Sequence, residues 1–249
     1  MTDYTNVKKI TGITDKSILL DLADIEEALR LGIASVECAM PEKGVLVRMK
    51  SDIVFLLSAA DLESSILLMD KLPKDEPYVL CIHGTEAIGY AKGKCGLTGN
   101  TLYFQYVYEG SAEEISKHMV CLEGCDLEVR HPGEESFAQV VQNYDLIPED
   151  DLRKDFEDPS FLGGFTEGEF ACFIGLHREG AMGLLRVFPQ FRRRGYAEKI
   201  YSTLIYNQLK RGAITYCHVD VTNDASIHIQ NKLGFTKAQK TVAWLSHDI

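Results

Sequence analysis

"FPQFRRRGYAEKIYSTLI", residues 188–205, sets three consecutive arginines, Arg192, Arg193 and Arg194, directly before Gly195 and a helical pattern. The chain around this run is acidic: 249 residues carry 37 Asp and Glu against 26 Lys and Arg, a formal net charge of −11. Runs of like charge are usually solvated loops. A strand that runs into an Arg/Gly loop and then a helix is also how a protein presents backbone N–H groups and a positive helix end to a phosphate. Gly195 brings no Cβ to hold a ligand off, and Ala197 is small enough for a ligand to lie over the first turn. The arginines add charge where the pyrophosphate and ribose phosphate of a nucleotide-like cofactor would lie. Neither a Gly-Lys-Ser/Thr nor a G-x-G-x-x-G spacing is present, so this is not a Walker loop or a dinucleotide fingerprint.

Working outward, "AMGLLRVF" before the loop is a strand, and "YAEKIYSTLIYNQLKRG" after it is a helix with Ala197, Ile200, Leu204, Ile205 and Leu209 on roughly one face. "ITYCHVDV" follows as a strand, "DASIHIQNKLGF" as a short helix ended by Gly234, and "KTVAWLS" as a closing strand. Upstream come strands near 161–166 and 169–177, two helices, "ESFAQVVQNY" and "PEDDLRKDFED", and the strand "DLEVRHP". Before a polar helix or linker, "SAEEISKHM", lie a helix in "LADIEEALRLGI", a strand in "DIVFLLS", a helix capped by Asp61, and strands in "YVLCIHG" and "TLYFQYVYEG". The change near residues 109–126 divides the chain into 1–120 and 125–249.

Composition excludes several classes. With 45% hydrophobic and 25% charged residues and 7 prolines, this is a folded globular chain. No apolar run is long enough for a membrane helix, and the N-terminus has no signal-peptide pattern, so the expectation is a cytoplasmic protein without a membrane partner. Net acidity argues against nucleic acid. Seven scattered cysteines suit reduced thiols, mostly small core residues. Cys121 and Cys125, the close pair, have no second Cys/His pair at matching spacing, so no metal is expected.

At "RRRGYA", residues 192–197, the sequence resembles the GCN5-related N-acetyltransferases (GNAT), whose Arg/Gln-x-x-Gly-x-Gly/Ala loop holds the pyrophosphate of acetyl-CoA. "LLRVFPQF" looks like that family's fourth strand, and "VTNDASIHIQNKLGF" like its fifth strand, cofactor-side asparagine (Asn223) and following helix. "YCHVDVTNDAS" is similar to the fifth strand of the glycine N-acyltransferases, a branch with an extra N-terminal domain. The resemblance implies an α/β fold, with a mixed, mostly antiparallel central sheet and flanking helices over 125–249. It also implies an N-terminal α/β domain similar to a GNAT half that has lost its phosphate loop. Acetyl-CoA or another short acyl-CoA is the implied co-substrate. Arg192, Arg193, Arg194, Gly195, Tyr196, Ala197 and Asn223 would hold it, with backbone at Arg186 and Val187 steadying the thioester.

The implied chemistry is direct attack of a primary amine on the thioester, which requires loss of an ammonium proton, stabilisation of an oxyanion and departure of a thiolate. Two family positions differ here. Gln230 stands where a tyrosine often protonates the thiolate, and residues 181–188 contain no carboxylate base. His218, five residues before Asn223 and on one strand face with Tyr216 and Asp220, is the candidate base; its alternative is a structural histidine. Cys217, on the opposite face, reads as core. "YDLIPEDDLRKDFEDP" crowds acidic groups beside the expected acceptor pocket, which suits a cationic small-molecule or peptide amine, though a solvated helix face has the same composition. The N-terminal half either covers the acceptor side or forms a homodimer surface. The rival from another class is a non-catalytic acyl-CoA-binding or interaction module.

Overall fold

The computed structural model describes residues 3–50, 53–120, 122 and 124–247. Three helices open it: α1 (Thr5–Thr11), α2 (Lys16–Leu20) and α3 (Ala23–Arg30). Periodicity alone finds only the third, because α1 and α2 are too short to complete a pattern. They are held by local devices instead. The Asp15 carboxylate accepts the Ser17 N–H at 2.8 Å, Gly12 ends α1 at φ 74°, and Val7, Leu19 and Leu20 are buried.

A meander of β1 (Ala34–Met40), β2 (Gly44–Met49) and β3 (Val54–Ala59) follows, its first two strands unforeseen. The helix α4 (Leu62–Met69) starts where Asp61 accepts the Ser64 N–H at 2.8 Å. It leads to β4 (Val79–His83), α5 (Ile88–Cys95), β5 (Thr101–Val107) and α6 (Ala112–Val120). The C-terminal half runs β6 (Glu128–Arg130), α7 (Phe137–Asn143), α8 (Glu149–Glu157), β7 (Leu162–Thr166), β8 (Glu169–Leu176) and β9 (Met182–Val187). It ends with α9 (Tyr196–Lys210), β10 (Tyr216–Asp220), α10 (Asp224–Leu233) and β11 (Thr236–Ser246). The polar segment at 112–120 is no bare linker, since α6 packs against α9.

The strands form a seven-stranded sheet, β1-β2-β3-β4-β11-β5-β10, and a four-stranded one, β6-β7-β8-β9. This is the expected mixed, mostly antiparallel α/β arrangement; among the described residues only β3 and β4 pair in parallel. The two halves follow a similar plan, a run of antiparallel strands (β1–β3 in the first, β6–β9 in the second), a helix and further strands, but they exchange their last strands. β5 from the N-terminal half pairs with β10, while β11 from the C-terminal half lies between β4 and β5. The large sheet therefore runs across the boundary near residues 120–125.

The halves differ at one place that matters for function. β3 and β4 are zipped together from Val54↔Val79 to Ser58↔His83. Their counterparts β9 and β10 belong to different sheets, so a wedge opens between them. An aromatic core supports its C-terminal side. Phe173 is fully buried between Phe161 and Phe170, stacked at centroid distances of 5.7 and 6.2 Å, with Phe188 edge-on at 6.1 Å.

Candidate functional site

The wedge begins at a bulge. Leu184 sits at φ 58°, and pairing slips between Phe173 and Gly175 on β8, so two residues of β9 oppose one of its partner. A non-glycine residue at such a φ costs about 1 kcal/mol or more, and such strain survives where the surroundings impose it. Beyond the bulge, the Phe188 N–H donates to Ala171 O on β8 at 3.0 Å. Strand alternation then aims the N–H and C=O of Val187 the other way, into the wedge. That carbonyl accepts the Arg192 Nε–H at 3.1 Å. The Arg186 guanidinium is directed elsewhere, donating to Asn143 O at 3.1 Å and lying 4.8 Å from the Tyr144 ring centre. Position 187 thus contributes backbone to the wedge, and side-chain identity at 186 and 187 is secondary.

At the mouth of the wedge the loop turns into α9. Arg193 lies at φ 66° and Gly195 at φ 81°. No protein atom lies within 4 Å of a Cβ added at Gly195, so backbone conformation, not crowding inside the chain, calls for glycine there. Gly195 O accepts the Lys199 N–H at 3.0 Å as the first bond of the helix. The amides of the first turn ahead of it have no helical partner and face outward. Arg192, Arg193 and Arg194 are exposed around them. Tyr196 contributes backbone rather than side chain to this end. Its ring is buried and its hydroxyl donates to Asp126 at 2.7 Å, with the Thr166 hydroxyl donating to the other carboxylate oxygen at 2.8 Å. These two bonds hold the Asp126 carboxyl below its usual range and tie the helix start to the start of β6. Glu198, an acid in the first turn, is turned inward, ion-paired with Lys232 at 2.6 Å and hydrogen-bonded to His118 at 2.9 Å. The helix end stays electropositive.

Asn223 caps α10, accepting the Ser226 N–H at 3.0 Å. Ala197 is half-buried in the first turn of α9. The loop residues and Asn223 therefore sit at helix starts, whereas the two acid–base candidates are placed differently. Gln230 is buried and donates its amide N–H to the Tyr201 hydroxyl at 3.0 Å, inside the packing of α9 against α10. His218, its side chain only 7% exposed, has both ring nitrogens engaged. The Trp244 indole N–H donates to Nδ1 at 3.2 Å, so Nε2 carries the proton and donates to Gln105 Oε1 at 2.7 Å. Burial pushes its pKa down to about 4, against the pull of Asp24. Neither nitrogen is free to take a substrate proton in this arrangement, and Gln230 does not reach the wedge. Cys217, buried on the other face with its thiol pushed up to about 12 by burial, is core. Cys125 is a free thiol, and Cys121 lies outside the described residues.

Sequence reasoning missed a cavity of about 340 Å³ between the halves, lined by Val54, Val79, Ile147, Asp155, His177 and Trp244 among others. Trp244 joins it to His218. Most of the acidic stretch is indeed helix surface: Glu149 and Asp150 are exposed, and Asp151 pairs with Lys154 at 3.0 Å and with Arg178. Asp151 and Asp155 line the cavity, and Asp155 is the buried one, 9% exposed. Burial raises its carboxyl from 3.8 to about 6, with Glu179 and Asp151 adding to the rise and His177 and Arg178 opposing it. Its place on the inner side of an amphipathic helix, between buried Leu152 and Phe156, was the available signal.

A folded pKa raised above the unfolded one makes its stabilising contribution below about pH 4 and loses it as pH rises through about 6. Asp155→Asn is therefore expected to match the wild type in urea unfolding near pH 4 and to exceed it by roughly 1–2 kcal/mol above pH 7. Parallel curves from pH 4 to 8 would show that the carboxyl is not held in this way.

Comparison with known proteins extends this picture. Residues 165–245, from the end of β7 almost to the end of β11, match the model of the FR47-like protein family. No curated protein matches the chain. Among solved structures, a Drosophila protein aligns over 97% of this chain and 93% of its own at 15% identity, with a TM-score of 0.65. A putative acetyltransferase of the GNAT family from Novosphingobium aromaticivorans covers 94% of this chain and 98% of its own, at 15% identity and TM-score 0.53. A GCN5-related N-acetyltransferase from Kribbella flavida covers 95% and 97%, at 12% identity and TM-score 0.54. Identities this low speak for fold alone, but they do so along both halves, and nothing among them singles out the glycine N-acyltransferases. The likeness suggested by the arginine loop thus holds over the whole architecture: this chain has the fold of the GCN5-related N-acetyltransferase superfamily, and its residues 165–245 match the FR47-like family.

Proposed function

We propose that the protein is an acyltransferase that moves an acetyl or other short acyl group from CoA to a primary amine, by direct attack within a ternary complex. The observation that carries this reading is the wedge between β9 and β10, opening onto an arginine-rich loop and the bare amides of α9. The pyrophosphate of acetyl-CoA would lie on the amides of residues 195–197 with Arg192, Arg193 and Arg194 around it. The thioester would extend into the wedge toward the Val187 N–H, which is aimed to donate to a developing oxyanion. Asn223 flanks the same opening. The cavity between the halves suits the acceptor, and Asp155 gives it a preference for a cationic amine. No metal step is invoked.

A thiol-release assay with acetyl-CoA across a panel of amines tests the whole reading. Asp155→Asn is expected to raise KM for a cationic amine and to leave KM for acetyl-CoA unchanged.

Proton transfer is assigned to water at the cavity rather than to a dedicated side chain. His218→Ala is accordingly expected to keep kcat/KM within about tenfold while lowering thermal stability through loss of its bonds to Gln105 and Trp244. A loss of roughly 10²–10⁴-fold with CoA affinity intact would instead make His218 the base. The second reading, an acyl-CoA-binding module without turnover, is favoured by the buried Gln230 and the doubly bonded His218. It predicts tight CoA binding and no thiol release with any amine.

A further inference from the structure

We propose that Asp24, Cys81 and His83 form a closed binding site for a single zinc-class divalent ion beneath the seven-stranded sheet. Asp24 stands in the first turn of α3, and Cys81 and His83 stand two apart on β4, so alternation puts both on the face that α3 covers. All three side chains have no solvent exposure. The donor atoms gather around one carboxylate oxygen: His83 Nε2 lies 2.9 Å from Asp24 Oδ2, and Cys81 Sγ lies 3.9 Å from it. All three donors fall within 4.8 Å of one another. Tetrahedral zinc sets its O, N and S ligands about 3.3–3.6 Å apart, so the two contacts to Asp24 are within a few tenths of an ångström of that spacing, while Cys81 and His83 would close by at most about 1.2 Å. The fourth position faces the hydrogen bond between His218 and Gln105, since His218 Nε2 is 4.0 Å from the same carboxylate oxygen.

An ion pair between Asp24 and His83 accounts for only part of this cluster. It leaves a thiol aimed at a carboxylate across a long contact, and a buried His83 Nδ1 with no partner among the described residues. A fully buried carboxylate from α3 and an imidazole and thiol from β4 are costly to assemble without a compensating charge. A divalent ion supplies that charge and suits a sulfur, nitrogen and oxygen donor set. On binding, the Cys81 S–H bond breaks, its proton leaves to solvent, and the thiolate takes up the metal; His83 ligates as neutral imidazole. Asp24 fastens α3 and the other two ligands fasten β4, so the ion would staple the N-terminal helices to the sheet. The sequence shows the site only as Cys-Ile-His on a strand, with the third ligand 57 residues away.

The test is cobalt substitution of the whole chain. Purified protein is freed of metal with a chelator, titrated with Co²⁺ and followed by absorption. About one equivalent bound, with intense tetrahedral d–d bands and a sulfur-to-cobalt charge-transfer band, is the expected result. Cys81→Ser should abolish the charge-transfer band and weaken Co²⁺ binding at least a hundredfold; if that variant does not fold, the wild-type spectrum decides alone. Zinc analysis of protein made in zinc-containing medium should find a near-stoichiometric amount. A folded wild-type chain that gives no thiolate band with Co²⁺ overturns the site, as does a band that persists in Cys81→Ser.

Discussion

Gly195→Glu is expected to raise the dissociation constant for acetyl-CoA at least a hundredfold, measured by calorimetric titration, while the protein stays folded. Three features combine to give this result. The variant places a carboxylate where the pyrophosphate would sit, at the bare amides of α9. It opposes the arginines that recruit the anion. It also holds a side chain at φ 81°, which costs about 1 kcal/mol. Nothing in the chain crowds the new Cβ, so the fold should tolerate the change. Gly195→Ala separates the causes, because it imposes the same backbone cost without charge and should weaken binding far less. A hundredfold corresponds to about 2.7 kcal/mol. Unchanged affinity in a folded Gly195→Glu chain would remove the cofactor site, and most of the proposed function with it.

The second large effect is on stability. Phe173→Ala should destabilise the chain by about 4 kcal/mol in urea unfolding, since it deletes a fully buried ring that stacks on Phe161 and Phe170 and meets Phe188 and Tyr144 at their edges. Phe173 also opposes Arg186 across the bulge. The cavity would therefore open beneath the strand that forms one wall of the wedge, and CoA binding should weaken along with the fold. A loss under about 1 kcal/mol would mean that this core is not close-packed around the ring.

What the sequence discloses is what depends on near neighbours. The strand-to-helix turn at 192–197 is legible because it rests on one glycine conformation and three adjacent, exposed arginines. The Asp61 cap and the Gly234 stop are legible for the same reason. β1 and β2 were missed because "SVECAM" and "VLVRMK" alternate poorly, and the turn between them carries a left-handed Glu42 that no sequence rule singles out. The exchange of β5 and β11 was out of reach, since local pattern says that a segment is a strand and not which strand it joins. His218 shows the limit most clearly. Its alternation on β10 was read correctly, but its chemistry is set by Gln105, 113 residues earlier, and Trp244, 26 residues later.

The exchanged strands also bear on how the molecule is made. β11 is translated after every other described strand, yet it occupies the middle of the large sheet, bonded to β4 on one side and β5 on the other. Until β11 emerges, the nascent chain holds β4 and β5 each with an open edge, the kind of surface that seeks foreign strands. Translation of the first half alone therefore cannot yield a finished domain. Halves that have traded strands in this way cannot be separated by gene fission without breaking the pairing of β11 with β4 and β5 and of β5 with β10.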